Sequence, residues 1–227
     1  MAKAPPPPPM PDPAAPPAAL RAQILATEHW SLLASRSTTQ NEVLGRISIF
    51  LTFVSAVLVS LALIGQATSF GAEFPLLVLA LLSIALLVGL LTQVRVFNVA
   101  AEDLMYVIAM NRLRAGYAEL APGIEKWFMT SAHDDQRGSE HTYYFFENRG
   151  ASVVFGSSAV FIGLVNASLL GLLIATIALV SGAQIWLAVT GAAIVAVAFV
   201  VTSLAVGYRV YVRTWQTHQP LSPTPRD

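Results

Sequence analysis

The chain has 227 residues, of which 55% are hydrophobic and only 11% are charged, and its formal net charge at pH 7 is zero. A chain this apolar is not an ordinary soluble domain, and a zero net charge gives no indication of nucleic-acid binding. The sequence contains no cysteine, which excludes disulfides, thiolate metal sites and cysteine nucleophiles.

The first segment, residues 1–17, contains nine of the fourteen prolines. This composition favours polyproline II conformations and cannot bury a core, so it predicts a disordered cytoplasmic arm. The alternative is a docking motif for a proline-binding module. The segment has no apolar h-region, so we expect no cleavable signal peptide.

Residues 18–45 are predicted to be a helix at the membrane interface or against the cytoplasmic domain. Its apolar face includes a histidine and has a tryptophan beside it: Leu25, His29, Leu32, Leu33 and Trp30. The polar run 37–41 predicts a break, after which Thr39 or Asn41 caps a second helix that leads into the membrane.

Four apolar stretches are long enough to cross a hydrocarbon core of about 30 Å as α-helices. They are residues 47–66, 75–94, 158–180 and 184–208. The connections 67–74 and 181–183 contain no Lys or Arg, so all thirteen basic residues fall on the opposite side of the predicted membrane. Because positive residues favour the cytoplasmic side, we predict an N-in/C-in protein of the bacterial inner membrane.

These spans predict an all-α polytopic membrane protein with two transmembrane hairpins, residues 46–94 and 151–208. The cytoplasmic parts are the pre-membrane helix, the connection 95–150 and the tail 209–227. The third span carries small residues at every fourth position: Ala159, Gly163, Ala167, Gly171 and Ala175. Such spacing allows close helix packing, either on the fourth span through Ala188, Ala192 and Ala196 or on another subunit.

The predicted spans contain few polar groups and no ionisable ones, unlike proton-coupled transporters, voltage sensors and intramembrane proteases. Asn166 is the most polar of them, and its amide needs a partner, either a neighbouring helix or an aqueous path. Ser48, Thr52 and Ser55 form a mild polar stripe on the first span. Their hydroxyls can bond back to their own helix.

The second span is predicted to continue into the cytoplasm as a helix, because no proline follows until Pro122. This extension carries an apolar seam at 4-3-4-3 spacing: Tyr106, Met110, Leu113, Tyr117 and Leu120. The spacing is typical of helix–helix packing. It predicts a partner helix, either residues 18–36 or the same helix of another subunit in a homo-oligomer.

Residues 131–141 are predicted to form a flexible, solvated loop. The loop contains the only group that resembles a metal site: His133, Asp134, Asp135, Glu140 and His141. These ligand types suit zinc or manganese, but their spacing matches no established signature, so we predict no metal and no cofactor. There is no Walker loop, dinucleotide fingerprint, nucleophile elbow or HExxH motif, and we therefore expect no enzyme.

Three segments, ATEHWSLLASRS (26–37), NRLRAGYAELAPGIEKWF (111–128) and HDD (133–135), resemble an uncharacterised family of four-span bacterial membrane proteins. This resemblance covers most of the chain from about residue 23 and implies a topology and a bacterial origin. The layout of the first half also loosely resembles the SLATT domains, two-span effectors associated with pore formation in bacterial defence. The second hairpin departs from that layout.

Two functions fit these patterns. The first is a homo-oligomeric channel with a cytoplasmic gating region, since pores can be lined by hydroxyl and amide groups. The alternative is a non-conducting scaffold that recruits a cytoplasmic protein through its helices and Pro-rich arm. We expect the channel, because an all-apolar four-span body is more than an anchor requires. The predicted partners are the lipid bilayer, further copies of the chain and a cytoplasmic protein, but not nucleic acid.

Overall fold

A computed structural model describes residues 16–146, 150 and 152–225, and over these residues all regular structure is helical. The α-helices are α1 (Ala18–Ala67), α2 (Phe74–Leu120), α3 (Gln136–Tyr143), α4 (Ser152–Phe155), α5 (Ser158–Val180) and α6 (Ile185–Thr217). A short 3-10 helix covers Ile124–Trp127. The predicted all-α class is confirmed for this part of the chain, whereas most of the predicted Pro-rich arm lies outside the described residues.

Four of these helices, α1, α2, α5 and α6, are long and apolar enough to cross a membrane. They contain the four predicted spans, and three of them extend well beyond the predicted boundaries. α1 has 50 residues, α2 has 47 and α6 has 33, although about 20 residues are enough to cross a bilayer. Each of these three helices therefore has a substantial part outside its apolar stretch.

α1 and α2 pack antiparallel along almost their whole length. As the residue number increases along α1, the residue number of the partner in α2 decreases. Leu25 lies against Gly116, Arg36 pairs with Asp103, Phe50 lies against Gly89, and Gly65 lies against Phe74 and against Phe70 of the connection. Because an α-helix rises about 1.5 Å per residue, the contact between residues 25 and 65 of α1 is about 60 Å long. That is about twice the thickness of a hydrocarbon core.

The predicted break at residues 37–41 is wrong, because α1 continues through them without interruption. The hydroxyl of Thr38 donates to the Ala34 carbonyl within the helix (3.0 Å) and starts no new one. Arg36 and Gln40 both reach Asp103 on α2. Gln40 thus connects the polar run to α2, whereas Ser37, Thr38 and Asn41 are exposed. Residues 18–36 lie against α2, the second of the two placements expected for them.

α2 lies at the centre of the four long helices, with α1 on one side and α5 on the other, and α6 packs on α5. The apolar core is formed where α1, α2 and α5 meet, around Phe50, Ala85 and Ile162, which are all at most 1% exposed. We refer to residues 46–94 and 158–208 as the apolar module. Residues 18–45, 95–146 and 209–225 form the polar module.

Asp103 is the main ionic contact between α1 and α2 in the polar module. Its carboxylate accepts hydrogen bonds from Arg36 Nε (2.6 Å) and Nη2 (3.1 Å), from Gln40 Nε2 (2.6 Å) and from the Tyr143 hydroxyl (2.7 Å). Burial opposes ionisation of this carboxyl, but the hydrogen bonds from Arg36 and Tyr143 outweigh burial and lower the pKa of Asp103. The ionised carboxylate therefore joins α1, α2 and α3.

We predict that Asp103→Asn lowers the free energy of unfolding of the detergent-solubilised protein by about 2 kcal/mol, since a hydrogen bond to a charged group contributes about 1.5–3 kcal/mol. The pKa is lower in the folded state, so this stabilisation is complete above about pH 4 and is lost as the pH falls through the folded pKa. Circular dichroism during denaturant unfolding measures the effect. Glu119→Gln, an exposed carboxyl on the same helix, is the control. Equal losses in the two variants would contradict the assignment.

Candidate functional site

A chain of buried polar side chains joins three helices of the apolar module. The fully buried Asn166 on α5 donates from Nδ2 to Gln93 Oε1 on α2 (2.8 Å). Gln93, which is 4% exposed, donates from Nε2 to Ser203 Oγ on α6 (3.0 Å). We call Asn166, Gln93 and Ser203 the amide relay. An amide in apolar surroundings costs several kcal/mol unless it is paired, so the relay specifies how α2, α5 and α6 face one another.

The relay depends on a close approach of α2 at Gly89. A Cβ atom at this position would lie 2.0 Å from Asn166 Oδ1 and 2.7 Å from Phe50 Cζ, distances that real contacts do not reach. The Asn166 oxygen itself has no hydrogen-bond partner. Glycine is therefore required where the backbone of α2 meets the side chains of α1 and α5.

Two roles were considered for Asn166, a hydrogen bond to a neighbouring helix and the lining of an aqueous path, and the structure shows the hydrogen bond. Its side chain is fully enclosed and does not line an open path within the chain. Gln93 and Ser203 were missed in the sequence reasoning. Gln93 is the penultimate residue of the predicted second span, and an amide inside the boundary of a span is itself a signal.

The hydroxyl stripe of α1 lies on the outer surface of the apolar module. Ser48, Thr52 and Ser55 are exposed, and each hydroxyl donates to the carbonyl four residues earlier, at 3.0, 2.9 and 2.9 Å. The oxygen of each hydroxyl can still accept a hydrogen bond. The stripe is therefore a weakly polar surface that a second chain or the bilayer would meet.

The small residues of α5 pack within the chain, on two different helices. Gly163 faces Gln93 of α2, whereas Gly171 faces Ala192 and Ala196 of α6, with the Ala192 carbonyl 3.5 Å from the position of an added Cβ. The other members of the stripe are covered to different extents: Ala167 is buried, and Ala159 and Ala175 are half-buried. Ala188 and Ala192 are buried on α6. Of the two interpretations of this stripe, the structure favours packing within one chain.

The prediction of a solvated loop at residues 131–141 is wrong, because Asp134 is fully buried. Its carboxylate forms an ion pair with Arg112 and accepts the backbone N–H groups of Leu221 (3.0 Å) and Ser222 (2.8 Å). The Asp134 carbonyl contacts His218 Nε2 at 2.7 Å. We use the name tail for residues 218–225 alone, and Asp134 attaches these residues to the rest of the polar module.

Asp135 makes a second attachment. Its side chain caps α3 by accepting the Gly138 N–H (2.8 Å), and it also accepts the N–H and the hydroxyl of Thr224, both at 2.8 Å. Burial opposes ionisation of both aspartates, but the hydrogen bonds they accept outweigh burial and lower the pKa of each. Two ionised carboxylates thus hold the chain that follows α6.

The predicted metal candidates do not converge. Asp134 and Asp135 bind the tail, the His133 carbonyl accepts from Asn111 Nδ2 (2.8 Å), and His141 is exposed on α3. Within the described residues, no group of three His, Cys, Asp or Glu side chains could hold a metal ion.

The apolar seam of α2 meets α1 of the same chain. Leu25 contacts α2 at Gly116, and the His29 ring lies 6.3 Å from the Tyr117 ring. The remaining seam residues range from buried to half-buried: Met110 is 3% exposed, and Tyr106, Leu113 and Leu120 are intermediate. The partner helix is therefore residues 18–36, one of the two partners that the seam predicted.

Comparisons with protein-family models, with curated proteins and with solved structures found no match for this chain. The resemblance to four-span bacterial membrane proteins, and the looser one to SLATT domains, stay predictions.

We predict that Gly89→Ala destabilises the protein by about 1–3 kcal/mol, the usual effect of overpacking a core. Gly191→Ala is the matched control, because a Cβ there meets no atom within 4 Å, and its effect should be within about 1 kcal/mol. Adding Asn166→Ala to Gly89→Ala should recover part of the loss, since it removes the nearer obstruction. Thermal unfolding in detergent measures all three. Equal effects of the two glycine substitutions would contradict the close approach.

Proposed function

We propose that this chain is a four-span protein of the bacterial inner membrane, N-in/C-in, which forms a homo-oligomeric channel gated by its polar module. Four helices suited to crossing a membrane and the confinement of basic residues to one side support the topology. In this arrangement the apolar module spans the bilayer as two hairpins and the polar module lies in the cytoplasm.

The observation that carries the gating proposal is the attachment of the tail to Asp134. α6 runs without a break from Ile185 to Thr217, and the tail that follows is bonded to a buried carboxylate beside α2. Ser203 connects the same helix to the amide relay. α6 is thus fixed at two levels, and a rearrangement of the polar module would be transmitted along it.

The hydroxyl stripe of α1 supports the conducting role. Asn166 is enclosed, whereas Ser48, Thr52 and Ser55 are exposed on α1 and are available to line a path between copies. Hydroxyl groups and apolar constrictions are sufficient for a pore. A path lined by α1 from several copies would need no charged residue in the membrane.

The scaffold alternative is supported by a separate observation. Trp30 and Trp127 of the polar module are 71% and 75% exposed, and large exposed aromatic side chains are typical of protein-binding surfaces. A cytoplasmic partner protein that covers them would make the chain an assembly platform.

The topology predicts a labelling pattern. In a chain without native cysteine, Thr68→Cys and Ser181→Cys should react with an impermeant maleimide in intact cells, whereas Glu125→Cys should react only after permeabilisation. All three positions are exposed in the structure, so a lack of reaction is not caused by burial. Labelling of Glu125→Cys alone in intact cells would invert the orientation.

The channel predicts ion flux from purified protein in liposomes. We expect Thr52→Leu to reduce the single-channel current, because it makes the path less polar. Asp134→Asn should change the open probability and leave the current per opening unchanged, because it weakens the attachment of the tail. Glu125→Gln, an exposed carboxyl of the polar module, is the control. Silent bilayers across voltage, tension and pH, with a protein that co-purifies through Trp30 and Trp127, would instead establish the scaffold.

A further inference from the structure

Arg114, on the part of α2 in the polar module, is a half-buried arginine that has no acidic partner among the residues that the structure describes. Four arginines among the described residues are half-buried, and three of them form ion pairs: Arg36 with Asp103, Arg95 with Glu42 and Glu102, and Arg112 with Asp134. Arg114 bonds only to neutral oxygens. A partly desolvated charge without a counter-charge is unfavourable, so Arg114 is a candidate for binding a negatively charged ligand.

The guanidinium of Arg114 is held in place from one side only. Nη1 donates to Asn111 Oδ1 (2.7 Å) and to the Ser131 carbonyl (3.5 Å). Asn111 is itself fully buried and fixed by the His133 carbonyl and by the Thr142 hydroxyl, at 2.8 and 2.9 Å. Arg114 is therefore positioned by neutral groups, and its orientation does not depend on an ion pair.

Within the described residues, the opposite edge of Arg114, formed by Nε and Nη2, makes no hydrogen bond. This is the edge with which Arg36 holds Asp103, at 2.6 and 3.1 Å, and with which Arg95 holds Glu42, at 3.4 and 2.6 Å. Arg112 uses the same edge for Asp134 and the Gln219 carbonyl. Two parallel N–H donors on this edge match two oxygens of a carboxylate or a phosphate. Of the four half-buried arginines in the described part of the chain, three therefore bond a carboxylate through this edge and Arg114 does not.

The surroundings of Arg114 are also positive. Burial, and then the charge of Arg36, lower the pKa of Arg114. Burial, and then the charge of Arg114, lower the pKa of His29, so this imidazole is neutral at pH 7, and within the described residues its buried Nδ1 has no hydrogen-bond partner. An anion bound at the free fork would compensate the charge of Arg114, and His29 in its Nδ1–H tautomer would be a further donor.

We propose that Arg114, with His29 and Arg36 beside it, forms a binding site for a small soluble oxyanion, a phosphate or a carboxylate. Residue 114 is twenty positions beyond the predicted end of the second span at residue 94, or about 30 Å along α2. That distance keeps the site out of reach of lipid headgroups, so the ligand comes from solution. The site does not require conduction, and silent liposomes would leave it unaffected.

Thermal unfolding of the purified full chain in detergent tests the site, with sodium phosphate or sodium acetate added at pH 7 and sodium chloride balancing the ionic strength. Phosphate should raise the melting temperature of the unmodified protein in a saturable way, as mass action requires. Arg114→Gln should abolish this rise. Arg137→Gln removes an exposed arginine without an ion pair and should retain it. Saturation by phosphate at the lower concentration assigns a phosphate ligand, and saturation by acetate a carboxylate.

Two results would overturn the proposal. One is the absence of a saturable rise with either anion, or an equal rise in Arg114→Gln, which would show general salting-out. The other concerns the variant without added anion. Arg114→Gln removes an uncompensated charge, so its melting temperature should equal or exceed that of the unmodified protein. A decrease as large as that caused by Asp103→Asn would mean that Arg114 is a structural cation already satisfied within the chain.

Discussion

The antiparallel contact between α1 and α2 extends through both modules, and α5, on which α6 packs, lies against α2. In the apolar module this contact is maintained by close packing, and Gly89 admits Phe50 and Asn166 where a larger residue would exclude both. In the polar module the same two helices are joined by ion pairs, with Asp103 bound to Arg36 and Glu42 bound to Arg95. In the proposed topology, the change from packing to ion pairs follows from the solvent that each part would meet, lipid for the apolar module and water for the polar module. Apolar surface cannot drive helix association in lipid, whereas charged groups remain hydrated and inexpensive outside it.

Buried charges in the polar module have two different kinds of surroundings. At Asp134 the carboxylate is neutralised by an arginine and by two backbone N–H groups of the tail, so a segment distant in sequence completes the solvation shell. At Arg114 the cation is oriented by neutral oxygens and one edge of the guanidinium is left free. The first arrangement is closed and structural. At Arg114 the cation has no carboxylate partner within the described residues. Asp134 therefore stabilises the fold, whereas Arg114 is available to bind a ligand.

The parts of this structure that follow from local composition could be predicted from the sequence, and the parts that depend on distant residues could not. The four apolar helices were predictable because span length is a property of a continuous stretch. The contact between Gln40 of α1 and Asp103 of α2 was not predictable, because the two residues lie more than sixty positions apart. The burial of Asp134 depends on the tail in the same way. Only part of the amide relay could be predicted. Asn166 is a polar residue in an apolar stretch, but nothing in the local sequence identifies Gln93 as its partner.

α6 is attached to the rest of the chain in both modules. Only 11% of its most apolar stretch is buried within the chain, compared with 33% for α5, because α6 packs along α5 and has little contact with α2. Besides its packing on α5 at Gly171, α6 has polar attachments through the Ser203 hydroxyl in the amide relay and through the tail at Asp134 and Asp135. Packed interfaces and hydrogen-bonded contacts both favour discrete arrangements over gradual deformation, and discrete alternatives are what a two-state device requires. In the proposed gating, a rearrangement of the polar module would break the attachments of the tail and release the C-terminal end of α6. The packing on α5 and the amide relay would still hold the same helix in the apolar module.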